Sequence, residues 1–353
     1  MDQLTVGIIG TGRISDLHAL GYLSSDRAKI VAVCDINQEA ALERARKWGV
    51  AEERVYTDYH DLLDLKEVDV VEILLPHHLH YQVTLDAMAA GKHVSLQKPM
   101  ALTVAEADEM IAAAKKAGVI FKVFENFIFY PPVQRAKKLI EAGEIGDPLT
   151  IRIKSNAGIS KNAWEVPLSA WQWRFNPETC GGGPLVFDDG YHKFSLAWHF
   201  MGLAEEVHAW IGATEIIPGL AIDSPAIVSW KFPGNRFGSL EVVRSPELEL
   251  DTRHYAQDDR IEITGTKGVI WVTRGHGKML DVPPVILYRD RKTYGFSDMP
   301  TGWEHSFINS THHFIDAYFK CEPPSLTGEE GRDILRFALA AQESARTGQS
   351  VKL

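Results

Sequence analysis

The feature that most limits how this chain can fold is the way its first apolar run ends. Leu4-Thr5-Val6-Gly7-Ile8-Ile9 passes directly into Gly10-Thr11-Gly12-Arg13-Ile14-Ser15 and then into an amphipathic stretch. Such a sequence reads as a strand turning tightly into a helix. Gly10 can take backbone angles closed to other residues, and Gly12 lets an anionic group approach the main chain at a helix N-terminus. Ser15 takes the third small-residue position, where a strict motif has glycine, and is still small enough for close helix–strand packing.

The alternation continues. Residues 30–34, 55–56, 70–75, 93–96 and 120–124 read as strands, and 38–48, 59–65, 80–90 and 104–117 as helices. Gly91 and Gly118 close the last two helices. Strands alternating with helices imply right-handed crossovers and a parallel sheet covered on both faces. Residues 1–125 are therefore expected to form a doubly wound Rossmann domain. From residue 126 the pattern changes: 150–154, 226–230, 238–243, 260–264 and 268–272 alternate polar with apolar residues, as half-buried antiparallel strands do. Residues 126–353 are expected to form an α+β domain on an open, mainly antiparallel sheet. Two helices, 308–319 and 328–347, close the chain, the second packing back toward the Rossmann domain. A sheet with one free face suits self-association, so a homodimer or homotetramer through this domain is expected. Residues 156–179, with three tryptophans, read as an ordered excursion and not a linker.

The second apolar run ends in Asp35, 23 residues after Gly12. That is about the spacing of the acidic residue that holds the adenosine ribose hydroxyls of a dinucleotide. Ile36-Asn37-Gln38 offers no cation to a 2′-phosphate, so the expected cofactor is NAD and not NADP. Ligands of such sheets bind at the carboxyl ends of strands. The expected cofactor set is Gly10, Gly12, Arg13, Ile14 and Asp35, with Leu75, Pro76, His77 and His80 after the fourth strand and Gln97 and Lys98 after the fifth.

A net charge of −10 without a basic run argues against nucleic acid or an anionic membrane surface as partner. Cys34, Cys180 and Cys321 are too widely spaced for a metal or redox motif and suit a reducing compartment. No apolar run reaches the about 18 residues of a membrane span. The expectation is a cytoplasmic protein with no signal peptide.

Two clusters could carry chemistry. Gln97-Lys98-Pro99 delivers Lys98 to the crevice, although a loop lysine is ordinarily just a solvated surface residue. Gly181-Gly182-Gly183-Pro184 precedes Asp188-Asp189-Gly190-Tyr191-His192. If 185–201 is helical, Asp188 and His192 are four residues apart on one face. A histidine beside a carboxylate suits a general base, and an aspartate capping a helix beside a packed histidine is the bland alternative. His77, His78 and His80 have no carboxylate partner at ligand spacing, so no metal site is expected.

With these motifs together, the chain resembles the glucose–fructose oxidoreductase / inositol dehydrogenase (Gfo/Idh/MocA) family over nearly its whole length. The resemblance rests on the glycine turn, Leu75-Pro76-His77-His78-Leu79-His80, Ala90-Gly91-Lys92-His93-Val94 leading to Lys98-Pro99, Trp173-Arg174, and the glycine segment leading to Asp188 and His192. It implies pyridine-nucleotide-dependent oxidation or reduction of a sugar or polyol. By the same resemblance Lys98 is the catalytic lysine, His192 the general base and Asp188 the carboxylate beside the substrate. Three positions depart from the family pattern. Gln97 replaces the usual glutamate, Ile128 a frequently basic residue, and His77 a common polar amide.

Substrate contacts are expected from Lys98, Asn126, Trp173, Arg174, Asp188, His192 and His312, with Trp171, His254 and His313 as further candidates. Trp171 could equally be packed in an interface. The expected function is an NAD-dependent dehydrogenase oxidising a hydroxyl of an aldose (the branched pentose apiose included), an inositol or a glycoside. An NAD-retaining lyase that oxidises its sugar transiently is the alternative, and a non-catalytic NAD sensor a more distant one.

Overall fold

The computed structural model describes residues 3–275 and 277–353, with Leu168 and Ser169 as backbone only. The chain forms two compact units, one from the residues up to Asn126 with Ser306–Leu335, the other from Phe127–His305 with Arg336–Leu353.

The first unit begins with β1 (Leu4–Ile9), α1 (Ser15–Leu23), β2 (Ala28–Cys34), α2 (Gln38–Trp48), β3 (Val55–Tyr56) and α3 (Tyr59–Leu63). It continues with β4 (Val70–Ile73), α4 (His77–Ala89), β5 (His93–Gln97), α5 (Val104–Ala117) and β6 (Phe121–Phe124). The strands form one parallel sheet in the order β3-β2-β1-β4-β5-β6. The order reverses between β1 and β4, which places the ligand crevice of such a sheet at their carboxyl ends. Val6, Ile8, Ile30, Val33 and Val70 pack with Ala19 and Tyr22 of α1 and Ala41 and Ala45 of α2. Helix ends are sealed locally. Asn37 caps α2, and Thr103 with Glu106 forms a capping box on α5. Losing such a cap costs about 1 kcal/mol.

Between β4 and α4 the boundaries differ from the sequence expectation. β4 stops at Ile73 and α4 starts at His77, not His80. Proline lacks an N–H, so Pro76 fits just ahead of a helix where no intrahelical donor is needed. His77 and His80 consequently share the first turn of α4.

The second unit has α6 (Pro131–Glu141), β7 (Pro148–Ile159), α7 (Leu168–Trp171), α8 (Pro177–Cys180), a π-helical turn at Pro184–Asp189, and α9 (Gly190–Met201). There follow β8 (Glu206–Ile211), β9 (Thr214–Ile217), β10 (Leu220–Ile222), β11 (Ala226–Phe232), β12 (Arg236–Glu249) and β13 (Gln257–Gly265). The chain ends with β14 (Gly268–Val272), β15 (Val285–Arg289), β16 (Lys292–Phe296), α10 (Glu304–Lys320), α11 (Gly328–Thr347) and β17 (Val351–Lys352). Nine strands form one sheet, β16-β15-β14-β13-β7-β12-β11-β8-β17, and β9 pairs with β10 separately. The ladders of the large sheet are antiparallel except β7–β12, which is parallel. That exception has a simple cause: a long crossover through α9 and four strands separates β7 from β12, which lets them run the same way.

Period-two alternation sets the faces of this sheet. Ile151 and Ile153 point into the core and Arg152 points out. Val228, Trp230, Leu240 and Val242 are buried, with Trp230 edge-on to Phe194 of α9 and Phe337 of α11. Trp210, Ile227, Phe237 and Tyr288 are exposed on strands of this sheet. Among the described residues no helix is long and apolar enough to cross a membrane.

Candidate active site

At the carboxyl edge of the parallel sheet, Gly10 has φ +97°, and a Cβ there would run into the Leu74 carbonyl. Glycine is therefore obligatory. At Gly12 a Cβ would meet nothing within 4 Å, so open space lies against the main chain. Ser15 is fully buried and its Oγ donates to the Gly12 carbonyl at 2.6 Å, which closes the turn onto α1. Arg13 is exposed and Ile14 half-buried.

Asp35, one residue past β2, is tied to this turn. Its Oδ2 accepts from Thr11 N at 2.7 Å and Thr11 Oγ1 at 2.9 Å, and its Oδ1 accepts from Asn37 N at 2.9 Å. Ile36 beside it is 93% exposed. An open glycine turn at a helix start and an adjoining carboxylate fit a dinucleotide with free ribose hydroxyls.

Beyond β4 and β5 the same edge carries Leu75, Pro76, His77, His80, Gln97 and Lys98. His80 is buried between two carbonyls, with Nδ1 2.8 Å from Pro99 O and Nε2 2.8 Å from Leu75 O. It fastens the loop after β5 to the loop after β4. Burial pushes its pKa down to about 3, aided by neighbouring His77 and Lys98 and opposed by the two carbonyls. Lys98 is buried. Its backbone N–H donates to Gln97 Oε1 at 2.8 Å. Asn126, just past β6, is buried and donates through Nδ2 to Ser306 Oγ at 2.9 Å.

His312 does not join this edge. Its Nε2 lies 3.1 Å from Gly21 O and 3.0 Å from Ser24 Oγ, at the end of α1 remote from the glycine turn. His313 Nε2 accepts from Ser325 N at 2.8 Å. Both histidines hold chain segments of the first unit.

In the second unit the helix expected over 185–201 begins as a π turn. The N–H groups of both Phe187 and Asp188 reach the Gly183 carbonyl at 3.1 Å. Asp188 lies in this π turn and His192 in the first turn of α9. Asp188 accepts from Arg174 Nε at 2.8 Å, and the Arg174 guanidinium lies 4.3 Å from the Trp173 ring centroid. The His192 ring stacks on Phe127 at 4.5 Å. Asp188 and His192 are both buried. Asp223 anchors the turn by accepting from Leu185 N at 2.8 Å and Val186 N at 2.7 Å. Burial raises its pKa to about 6, against these two donors. Gly183 is needed because a Cβ would strike the Asp223 carboxylate.

Beside them is a buried ionic cluster. Lys193 Nζ lies 2.8 Å from Asp189 Oδ2 and 3.2 Å from Asp259 Oδ2, and Gln257 Nε2 donates to Asp189 Oδ2 at 2.8 Å. Burial works against the Lys193 cation, but the two carboxylates outweigh it and hold its pKa above the ordinary value. Farther along, His254 contacts Trp164 at 4.7 Å and Trp303 at 5.4 Å, and Trp171 lies edge-on to Tyr255.

Sequence reasoning missed the buried groups behind these sites: His18, Tyr22, Glu72 and Lys122 in the first unit, Lys193, Gln257 and Asp259 in the second. A glutamate inside the apolar run Val70-Val71-Glu72-Ile73 was the available signal in the first. The Asp189/Lys193 spacing was the signal in the second.

Comparison with known proteins adds to this geometry. The oxidoreductase-family model described as an NAD-binding Rossmann fold matches residues 4–125, and that family's C-terminal alpha/beta domain model matches 137–353. Myo-inositol 2-dehydrogenase of Thermotoga maritima is 28% identical, covering 99% of this chain and 98% of its own. D-apiose dehydrogenase of Paraburkholderia graminis is 26% identical over 98% of this chain and 88% of its own. Levoglucosan dehydrogenase, solved with NADH and levoglucosan, superposes with TM-score 0.82 at 26% identity, covering 99% of each chain.

Proposed function

Because the chain belongs to the NAD-binding Gfo/Idh/MocA oxidoreductase family on matches spanning 4–125 and 137–353, we propose that it oxidises a secondary hydroxyl of a neutral sugar or polyol. Relatives named for inositol, apiose and levoglucosan support that substrate class. The observation that carries the reading is the carboxyl edge of the parallel sheet. There the open turn at Gly12, the Asp35 carboxylate and the buried Lys98 follow the ends of β1, β2 and β5.

Gly10, Gly12, Arg13, Ile14 and Asp35 would hold the cofactor, with Leu75, Pro76, His77, His80 and Gln97 lining the edge. NAD supplies the hydride acceptor. The remaining chemistry belongs to side chains. His192 takes the hydroxyl proton, held by its stacking on Phe127. The Lys98 ammonium stabilises the developing alkoxide. Asp188, oriented by Arg174, accepts a hydrogen bond from a neighbouring hydroxyl. Trp173 and Asn126 complete the substrate contacts. His312, committed to the end of α1, is left out of that set.

The test is NADH formation with NAD and a panel of aldoses, inositols and glycosides. A signal with one class that disappears in Lys98→Ala supports the reading. Silence with NAD still bound favours a retained-cofactor lyase.

We also propose that the outer sheet face, carrying Trp210, Ile227, Phe237 and Tyr288, pairs with a second copy of the chain. Light scattering reports the outcome: Ile227→Lys should lower the mass toward one chain, and an unchanged oligomer would reject this face.

A further inference from the structure

Behind Lys98 runs a buried hydrogen-bond chain whose direction can be worked out from donor and acceptor chemistry alone. A backbone N–H only donates, so the Gln97 atom 2.8 Å from Lys98 N is the carbonyl oxygen Oε1. The other end of that amide, Nε2, then faces His18 Nε2 at 2.9 Å. An amide NH2 only donates, so His18 Nε2 must be the bare, accepting nitrogen. The ring proton is thereby placed on Nδ1, which lies 2.6 Å from Glu72 Oε1. Tyr22, four residues on from His18 in α1, donates its hydroxyl to Glu72 Oε2 at 2.6 Å. Every member has its partner, and the chain runs without a break from the Tyr22 hydroxyl through Glu72, His18 and Gln97 to the main chain of Lys98.

The surroundings leave little room for another arrangement. His18 and Glu72 are fully buried, and Tyr22 nearly so. The His18 ring is covered by Phe124 of β6 at 4.0 Å and Phe307 of α10 at 5.2 Å. Glu72, the carboxylate partner of His18, also interacts with the buried Lys122 side chain on β6. A doubly protonated His18 would set an N–H against the Gln97 NH2 group. A glutamate at position 97 would instead accept from His18 Nε2, and the ring would lie between two carboxylates.

We propose that His18 is a positioning residue for Lys98: held by Glu72 in the Nδ1–H tautomer, it orients the Gln97 amide that fixes the Lys98 backbone. The proposal rests on reading Lys98 as the alkoxide-stabilising cation. It also gives the glutamine at 97 a physical role, since a neutral amide and a neutral imidazole match here without an added buried charge.

The first test needs no substrate. In the intact protein labelled with 15N-histidine, long-range 1H–15N spectra assigned with His18→Asn should show His18 protonated on Nδ1 and bare at Nε2. In Gln97→Glu a proton should appear on Nε2. An Nε2–H or imidazolium His18 in the native chain overturns the proposal. The second test is kinetic. His18→Asn keeps a donor toward Glu72 but removes the acceptor for Gln97, so kcat should fall about tenfold with KM for NAD changed by no more than about twofold. In a Gln97→Leu background the same change should add nothing to the loss in kcat. A full, additive loss there overturns the positioning role. A native protein without turnover on the substrate panel counts against the dehydrogenase reading, and the tautomer result is judged separately from it.

Discussion

In the first unit, Tyr22, Glu72, His18 and Gln97 form a chain in which one donor faces one acceptor at each step. In the second, Lys193 is fully buried against two carboxylates, with Gln257 bonded to both Asp189 and Asp259. The first arrangement uses direction, because each hydrogen bond fixes which way its neighbour points. The second uses charge, because one cation balances two anions taken out of water. The difference teaches that the two sites should fail differently. Loss of a link in a directional chain misaligns the groups beyond it, whereas loss of the central cation leaves buried carboxylates uncompensated.

The largest effect should come from breaking the charged cluster. Lys193→Met keeps the stem but removes the cation, stranding Asp189 and Asp259. The expected loss is about 3–5 kcal/mol of folding stability, measured by urea denaturation. A loss of under about 1 kcal/mol would mean that the carboxylates find other partners or protonate without penalty. His192→Ala comes next and affects a different quantity. It removes the proposed base one residue away from Lys193, so turnover should drop about a hundredfold or more while NAD affinity holds. Unaltered turnover excludes His192 as the base.

Lys122 sharpens the comparison within the first unit, because it is a buried lysine whose pKa is shifted the opposite way from that of Lys193. Its Nζ donates to Ser310 O at 2.7 Å and Ser310 Oγ at 2.8 Å, and it lies 4.7 Å from the Phe124 ring centroid. Burial lowers its pKa from 10.5 to about 7, partly offset by Glu72 and Glu125. Between those two values the unfolded chain binds the proton and the folded chain does not. Raising the pH through that window therefore favours the folded state, and the gain is lost again as pH falls toward 7. Relative to Lys122→Met, the native chain should gain about 1 kcal/mol per pH unit near pH 8. A constant difference between the two proteins would mean that Lys122 keeps its proton when folded, as Lys193 does.

How far these features could be read from the sequence depends on their range. The order of strands and helices up to Phe124 was legible because apolar periodicity and glycine C-caps are local signals, and the limits of α2 and α5 agree with it. The start of α4 was not, because Pro76 reads both as a strand terminator and as a helix entry. The π turn at Pro184–Asp189 was invisible because it depends on Asp223, nearly forty residues on, accepting from Leu185 and Val186. His312 attracted attention as a polar residue on a late helix, but its partners Gly21 and Ser24 lie at the other end of the sequence. Glu72 carries the same lesson in reverse. A carboxylate in a fully buried strand signals a partner, and only the three-dimensional fold says that the partners are His18 and Tyr22.

Asp35 should give the smallest effect and the finest distinction, because it has two tasks. It accepts three hydrogen bonds from Thr11 and Asn37, which hold the glycine turn, and its charge disfavours a 2′-phosphate. Asp35→Ser retains an acceptor but removes the charge. If the charge selects the cofactor, the preference for NAD over NADP should narrow about fivefold, well under 1.4 kcal/mol, measured as the ratio of kcat/KM values. If Asp35 serves only the turn, both cofactors should weaken together and the ratio should stay fixed. That outcome would make Asp35 a counterpart of Asp223, a carboxylate whose task is to hold backbone N–H groups at the start of a helix. The two units would then share a device, and cofactor choice would have to come from residues beyond Asp35.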